Sequence, residues 1–345
     1  MTCCGFRIVI LRMFPDDELQ LYAKELANRS LGTVVLESLV CGFLILVAFF
    51  GNMIVLWIIY RYRNLRTIPN LFVFSLALSD VIMSGFCAPM CLAALIKGEN
   101  IFGDVLCTIQ GFLISILARV SLQTMALVAV NRFFLIVKPS LYRKIYKPCY
   151  TKAMIMGAWI LSGTEPLPYL TMGKQYYFNP AKVFCFPDTR LPYVLIVGYI
   201  YVGLPMPVLA WCYFKVFHSL RQHTRRLHQS QSSSFQSNAQ KRGPSVEEIN
   251  VTWTLFLTVC ALIFCWIPIS VVDLVDFARG TLASLPRPVY MMYLFLGQLS
   301  TAVNPMIYGV MNKSFRGAYR KILCRRSNVI EAVKVTGAGS TQAPC

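Results

Sequence analysis

Few side chains in this 345-residue sequence could do chemistry, and most of them stand where charge is expensive. The 13 cysteines form no Cys-x-x-Cys pair, and the three histidines (His218, His223, His228) fall together in one polar segment. That pattern argues against a zinc site. Phosphate-loop and nucleophile-elbow motifs are absent, and no nucleophile–base set is visible, so the chain does not read as an enzyme. What remains is charge inside apolar runs: Asp80, Arg119, Arg132 and Glu165, with Glu248 at the head of another run. In the middle of a bilayer such a group costs on the order of 3 kcal/mol or more unless it is paired. Each should therefore pair, hold an ion or serve as a switch.

Composition sets the elements that must position them. The chain is 56% hydrophobic and only 14% charged, with a mean hydropathy of +0.57. Soluble domains carry about a quarter charged residues, so this balance describes a polytopic, all-α membrane protein. The net charge of +18 does not describe a nucleic-acid binder, because the basic residues come in short clusters between apolar runs. Seven runs near the ~20 residues of a membrane helix are expected at 35–60, 71–95, 107–137, 153–170, 193–220, 249–277 and 289–311. Most Lys and Arg follow the first, third, fifth and seventh runs, which puts those ends inside and the N-terminus outside.

The chain divides accordingly into an outer segment 1–33, a seven-helix domain 34–312, a surface helix 313–324 and a cytoplasmic tail 325–345. The apolar stretch 6–11 is too short to span and lacks a following cleavage site, so no signal peptide is assigned. Asp16, Asp17 and Glu18 make an exposed acidic patch, and Asn28-Arg29-Ser30 is a glycosylation triplet on the outer side. The Ser/Gln-rich loop 229–243 could bury no core and reads as a mobile linker. Residues 313–324 alternate basic and apolar, as in an amphipathic helix lying on a membrane. Cys324 at its end is either a palmitoylation site or an inert thiol.

The third run, from Cys107 to Asn131-Arg132-Phe133, places a cysteine at one membrane face and an arginine at the other. With Gly51-Asn52, Leu76-Ala77-Leu78-Ser79-Asp80, Pro205 and Tyr213, Cys265-Trp266-Ile267-Pro268 and Asn304-Pro305-Met306-Ile307-Tyr308, one motif per run and in order, the chain resembles the class A (rhodopsin-like) G-protein-coupled receptors. The resemblance runs from about residue 35 to residue 326. It implies a seven-helix bundle and a Cys107–Cys185 disulfide tying a loop over a pocket. An allosteric sodium ion on Asp80, Ser121 and Asn304 is implied as well; Ser300 stands where many relatives have Asn. The resemblance further implies a latch between the third and sixth helices made by Arg132 and Glu248. It implies a pivot at Trp266 and Pro268, with Pro305, Tyr308 and Tyr213 completing the switch. Because the third and fourth helices of such receptors are neighbours, Arg119 and Glu165, at similar depth, are expected to pair. That pair is either purely structural or borders the pocket and meets a polar or acidic ligand.

Within the family the pattern resembles melatonin receptors, on Asn131-Arg132-Phe133, Pro168-Tyr169-Leu170, Gly173-Lys174-Gln175-Tyr176-Tyr177, Arg287-Pro288 and the run from Gly309 to Arg316. The ligand-holding Asn and Gln of those receptors are matched here by Tyr169 and Thr189, so the ligand contacts differ. Gln298 occupies the Schiff-base lysine position of light receptors, and Ile114 that of the aminergic aspartate. Pocket candidates are Arg119, Glu165, Tyr169, Trp266 and Gln298. The implied partners are a small extracellular ligand, a heterotrimeric G protein of the inhibitory class, arrestin and the lipid bilayer, with no nucleic acid and no cofactor besides sodium. A non-signalling decoy and a receptor for a small acid or a peptide stand as alternatives.

Overall fold

The computed structural model describes residues 15–231, 246–312 and 315–319. The stretch 6–11, nearly all of the Ser/Gln-rich loop, Cys324 and the tail lie outside the described residues. Seven helical spans form the bundle among the described residues. The first is Leu31–Arg61, the second Ile68–Lys97, the third Gly103–Val137 and the fourth Pro148–Thr164. The fifth is made of Pro192–Gly203 and Pro205–Gln231, the sixth is Val246–Ala278 and the seventh Arg287–Met311. The third span is the hub, packed against the second, fourth, fifth and sixth, and the seventh fits between the first and sixth.

Five of these spans are long and apolar enough to cross a membrane on length and composition alone. The fourth has 17 residues, and the seventh buries Gln298, Ser300, Thr301 and Asn304. Large apolar side chains cover the outside of the bundle, among them Phe43, Phe50, Phe214, Phe264 and Val310. In water that belt would be an aggregation surface; against lipid tails it is the correct exterior.

The fourth span differs from the expected 153–170. It begins at Pro148, whose missing N–H costs nothing in a first helical turn, and stops at Thr164 before Pro166 and Pro168. A short helix, Leu167–Thr171, continues after the break. The second span also departs from a regular helix, passing through a π-helical turn at Met83–Cys87 just before Pro89.

Two elements were not expected at all. Pro15–Ala27 is a helix docked on the bundle: Leu26 is buried, Tyr22 Oη donates to the Leu285 carbonyl at 2.6 Å, and its ring meets Tyr290 edge-on. Between the fourth and fifth spans lies an antiparallel hairpin, β1 (Tyr177–Asn179) and β2 (Phe184–Phe186). Of the expected surface helix 313–324, residues 315–319 are described and are helical, with Phe315 fully buried.

The seventh span shows how a proline is accommodated. Pro305 leaves the Thr301 carbonyl without its helical donor, and Asn52 Nδ2 of the first span donates to it at 3.0 Å. Gly51, next in sequence, permits the approach, since a Cβ there would lie 2.6 Å from Pro305 Cγ. The Gly51-Asn52 pair is thus explained by the proline opposite it.

Candidate functional site

The site is roofed by the hairpin. Cys107 and Cys185 are disulfide-bonded, with 5.4 Å between their Cα atoms, so β2 is fixed to the start of the third span. Gln110, one turn further along, accepts from Cys185 N at 3.1 Å and donates to the Cys87 carbonyl at 2.9 Å, beside the π-helical turn. One side chain therefore joins the second span, the third span and the loop. Gly111 lets the loop sit down: a Cβ there would be 2.4 Å from the Tyr176 ring.

The turn of the hairpin is built by Asn179, whose Oδ1 accepts from Ala181 N and Lys182 N. Val183 follows with φ +62°, a left-handed conformation that a β-branched residue seldom adopts. The result is to send Lys182 inward. Its Nζ is 2.7 Å from Asp273 Oδ1 and 3.8 Å from Asp276 Oδ2, both on the sixth span, and 4.2 Å from the centre of the Phe186 ring. Asp273 also accepts from Tyr293 Oη at 3.1 Å, and Asp276 from Tyr290 Oη and Ser284.

Beneath this roof a cavity descends through the bundle. Arg119, Asp273 and Phe186 line its upper part, Trp266 and Gln298 its middle, and Asp80 and Asn304 its floor. An adjoining cleft contains Glu165 together with Arg119, Trp266 and Asp273. Arg119 Nη2 and Glu165 Oε1 are 3.7 Å apart, so the sequence-predicted partners do meet. Glu165 does so from the C-terminal cap of the fourth span rather than from mid-helix. Tyr169 is not a pocket wall. It is buried in the short helix Leu167–Thr171, where its hydroxyl donates to the Gln175 carbonyl at 2.9 Å and accepts from Asp188 N at 3.0 Å. Burial raises this phenol above its ordinary pKa, so it stays a donor. Thr189 lines the adjoining cleft.

On the cavity floor Asn304 Nδ2 donates to Asp80 Oδ2 at 2.8 Å, and Ser79 and Ser121 hydroxyls lie 3.2 Å apart. Asn304 Oδ1 is buried without a hydrogen-bond partner. A buried carboxylate, two hydroxyls and an unused amide oxygen make an oxygen-only donor set, the kind that suits a hard monovalent cation. Ser300 instead donates to the Gly297 carbonyl within its own helix.

At the opposite end of the bundle Arg132 is 1% exposed, and its Nε and Nη2 have no hydrogen-bond partner. The hydroxyls of Tyr213 and Tyr308 are likewise buried without one. Glu248 is within electrostatic range of Arg132. Among the described residues, however, no ion pair joins the two. Arg132 is folded into the core, and the expected latch is not closed by a direct ion pair between these two side chains in this structure.

Trp266 has a place that no other side chain shares among the functional residues. It packs against the buried cluster under the hairpin, which contains Tyr293 and Ile269, and against the lower cluster, which contains Tyr213 and Leu262. Two helical turns of core are thereby coupled through one ring. Pro268, two residues on, leaves the Phe264 carbonyl without its helical donor, a weak point in the same helix.

Several site residues are not singled out by the sequence alone: Lys182, Asp273, Asp276 and Gln110. Asp273 and Asp276 carried a usable signal, being carboxylates three apart on one face of an apolar run. Lys182 carried none, since a lysine in a loop is ordinary. Asn28 is exposed just past the N-terminal helix.

Comparison with known proteins gives a consistent picture. Residues 51–308 match the family model described as 7 transmembrane receptor (rhodopsin family). The chain is 27% identical over 304 residues to a tachykinin-like peptides receptor of Drosophila melanogaster, covering 83% of this chain and 58% of that receptor. It is 26% identical over 281 residues to melatonin receptor type 1B of Mus musculus, covering 80% and 74%. It is 24% identical over 322 residues to 5-hydroxytryptamine receptor 4 of Rattus norvegicus, covering 86% and 79%. Peptide, melatonin and amine receptors are thus matched about equally well.

Proposed function

The chain belongs to the rhodopsin family of seven-transmembrane receptors, and from that premise we propose that a small extracellular ligand enters beneath the hairpin, shifts Trp266 and thereby changes the Arg132 end for a heterotrimeric G protein. The observation that carries this reading is the position of Trp266, in the cavity wall and in contact with both core clusters. A rigid aromatic ring shared by two packed regions cannot move in one without disturbing the other. Pro268 beside it lowers the cost of bending the sixth span.

The rest follows the same orientation. The hairpin and Asn28 face outward at the plasma membrane and the Arg132 end faces the cytoplasm, a reading supported by the basic residues after the first, third, fifth and seventh spans. Arg132, with Nε and Nη2 unpaired, is poised to find new acceptors when the sixth span moves, and Glu248 holds it back electrostatically. Tyr213 and Tyr308, each with a spare hydroxyl, are the side chains that would receive it. Asp80, Ser121 and Asn304 would hold a sodium ion, whose charge offsets the buried carboxylate and favours the inactive packing. The inhibitory G-protein class and arrestin are the partners that the melatonin-receptor resemblance suggests. Asn28 is the glycosylation site and Cys324 the palmitoylation site.

A second-messenger screen in transfected cells, using indoleamines, small acids and peptides against each G-protein class, tests the reading. A response that disappears in Arg132→Ala supports it. A surface-expressed chain that binds a ligand yet activates no G protein is a decoy and refutes it.

A further inference from the structure

The ion pairs around the cavity are not alike. Lys182 and Asp273 are in close contact, and the second oxygen of Asp273 is taken by Tyr293. Glu37 accepts from both Arg29 and Arg287. Arg119 and Glu165 are 3.7 Å apart, beyond hydrogen-bonding distance, and each keeps a buried polar atom without a partner, Arg119 Nε and Glu165 Oε2. Their side chains are 18% and 11% exposed and line one cleft with Trp266. Two opposite charges this close should close up into a charge-assisted hydrogen bond if pairing were their whole purpose. Leaving a donor and an acceptor buried and unused is unfavourable for both groups.

Resting on the receptor reading above, we infer that Arg119 and Glu165 together bind the head of a zwitterionic small molecule, an amino acid with an apolar or aromatic side chain. Its carboxylate accepts from Arg119, its ammonium donates to Glu165, and its side chain lies against Trp266. Charge decides against a lone anion, and unmet hydrogen bonding against a lone cation. Arg119 and Lys182 carry two positive charges against three negative ones on Glu165, Asp273 and Asp276. A lone anion would add to that excess, and a lone cation would leave Arg119 Nε unsatisfied beside it. A zwitterion supplies both partners without changing the net charge of a poorly solvated site. An α-amino acid carries its two charged groups on one carbon, which suits partners 3.7 Å apart. Beside them the walls are apolar, with Ile269, Phe186 and Val194. The fifth span contributes Gly198, where a Cβ would sit 3.4 Å from Arg119 Nη2, so the guanidinium is left open on that side.

The test uses the full-length receptor in lipid nanodiscs, with thermal unfolding read as a function of probe concentration. L-tryptophan and L-phenylalanine are compared with tryptamine and phenethylamine, which lack the carboxylate, and with 3-indolepropionate and 3-phenylpropionate, which lack the amine. At least one of the two amino acids is expected to raise Tm in a saturable way, with each truncated analogue about tenfold weaker or worse. Arg119→Gln and Glu165→Gln should each weaken the amino acid by a similar factor. Gly198→Val keeps both charges but crowds Arg119, and should weaken it as well. The exchanged pair, Arg119→Glu with Glu165→Arg, should recover binding and shows whether a single variant failed merely through misfolding. Equal binding of an amine or an acid, no saturable shift with either amino acid, or indifference to all these variants overturns the inference. Basal nucleotide exchange by the same preparation, lost in Arg132→Ala, separates that outcome from failure of the receptor reading itself.

Discussion

Lys182 Nζ lies 2.7 Å from Asp273 Oδ1, and this contact ties the hairpin to the sixth span. The same hairpin is bonded to the third span through Cys107 and Cys185. The loop is therefore a strap across the cavity, covalent at one end and ionic at the other. Any outward movement of the sixth span at this end must carry the hairpin with it or break the contact.

Lys182→Met should cost stability, because it leaves the Asp273 and Asp276 carboxylates buried without their cation. Removing one member of a buried pair costs about 3 kcal/mol or more. A fall in Tm of several degrees in detergent is expected. Lys182→Met combined with Asp273→Asn should recover part of it, since the uncompensated charge is removed.

Gly51→Ala should be disproportionately harmful for the addition of one methyl group. The new Cβ would meet Pro305 Cγ at 2.6 Å, and overpacking of this kind costs about 1–3 kcal/mol. Surface expression and Tm would both fall. Gly157→Ala, where nothing lies within 4 Å, is the matched control and should change neither.

Sodium should stabilise the receptor and potassium should not. The expected signature is a higher Tm in NaCl than in equimolar KCl, abolished by Asp80→Asn and reduced by Asn304→Ala. A difference that persists in Asp80→Asn would place the ion elsewhere.

Asn28→Gln should remove the glycan and sharpen the band on a denaturing gel, matching wild-type protein treated with an endoglycosidase. Identical mobility before and after that treatment in the wild type would argue against an outer N-terminus.

How legible was this in the sequence? The number and order of spans follow from hydropathy, and the Arg119–Glu165 approach followed from counting residues to equal depth on neighbouring helices. The limits of the fourth span are not legible in apolar content, which cannot distinguish a helix from an apolar proline-broken segment; Pro148 sets its start, and Pro166 and Pro168 its end. The Lys182 clamp was not legible. Its geometry depends on the Asn179 turn, the disulfide and a helix more than 90 residues away, and none of these leaves a periodic trace. Tyr169 was misplaced for a related reason: its hydroxyl is used up by Gln175 and Asp188 within the loop. The depth to which Arg132 is buried is not legible either. The sequence puts Arg132 and Glu248 at one end of the bundle, and only packing decides whether the arginine turns toward the glutamate or into the core.

Basal guanine-nucleotide exchange on a G protein, driven by purified receptor in nanodiscs, tests communication between the two ends most directly. Trp266→Ala lies on the cavity wall and touches no G protein, yet it should change the basal rate by about threefold or more, the scale of a coupling near 1 kcal/mol. Arg132→Ala should abolish the rate. An unchanged rate in Trp266→Ala, in a sample whose folding matches wild type and whose activity still depends on Arg132, would contradict the account.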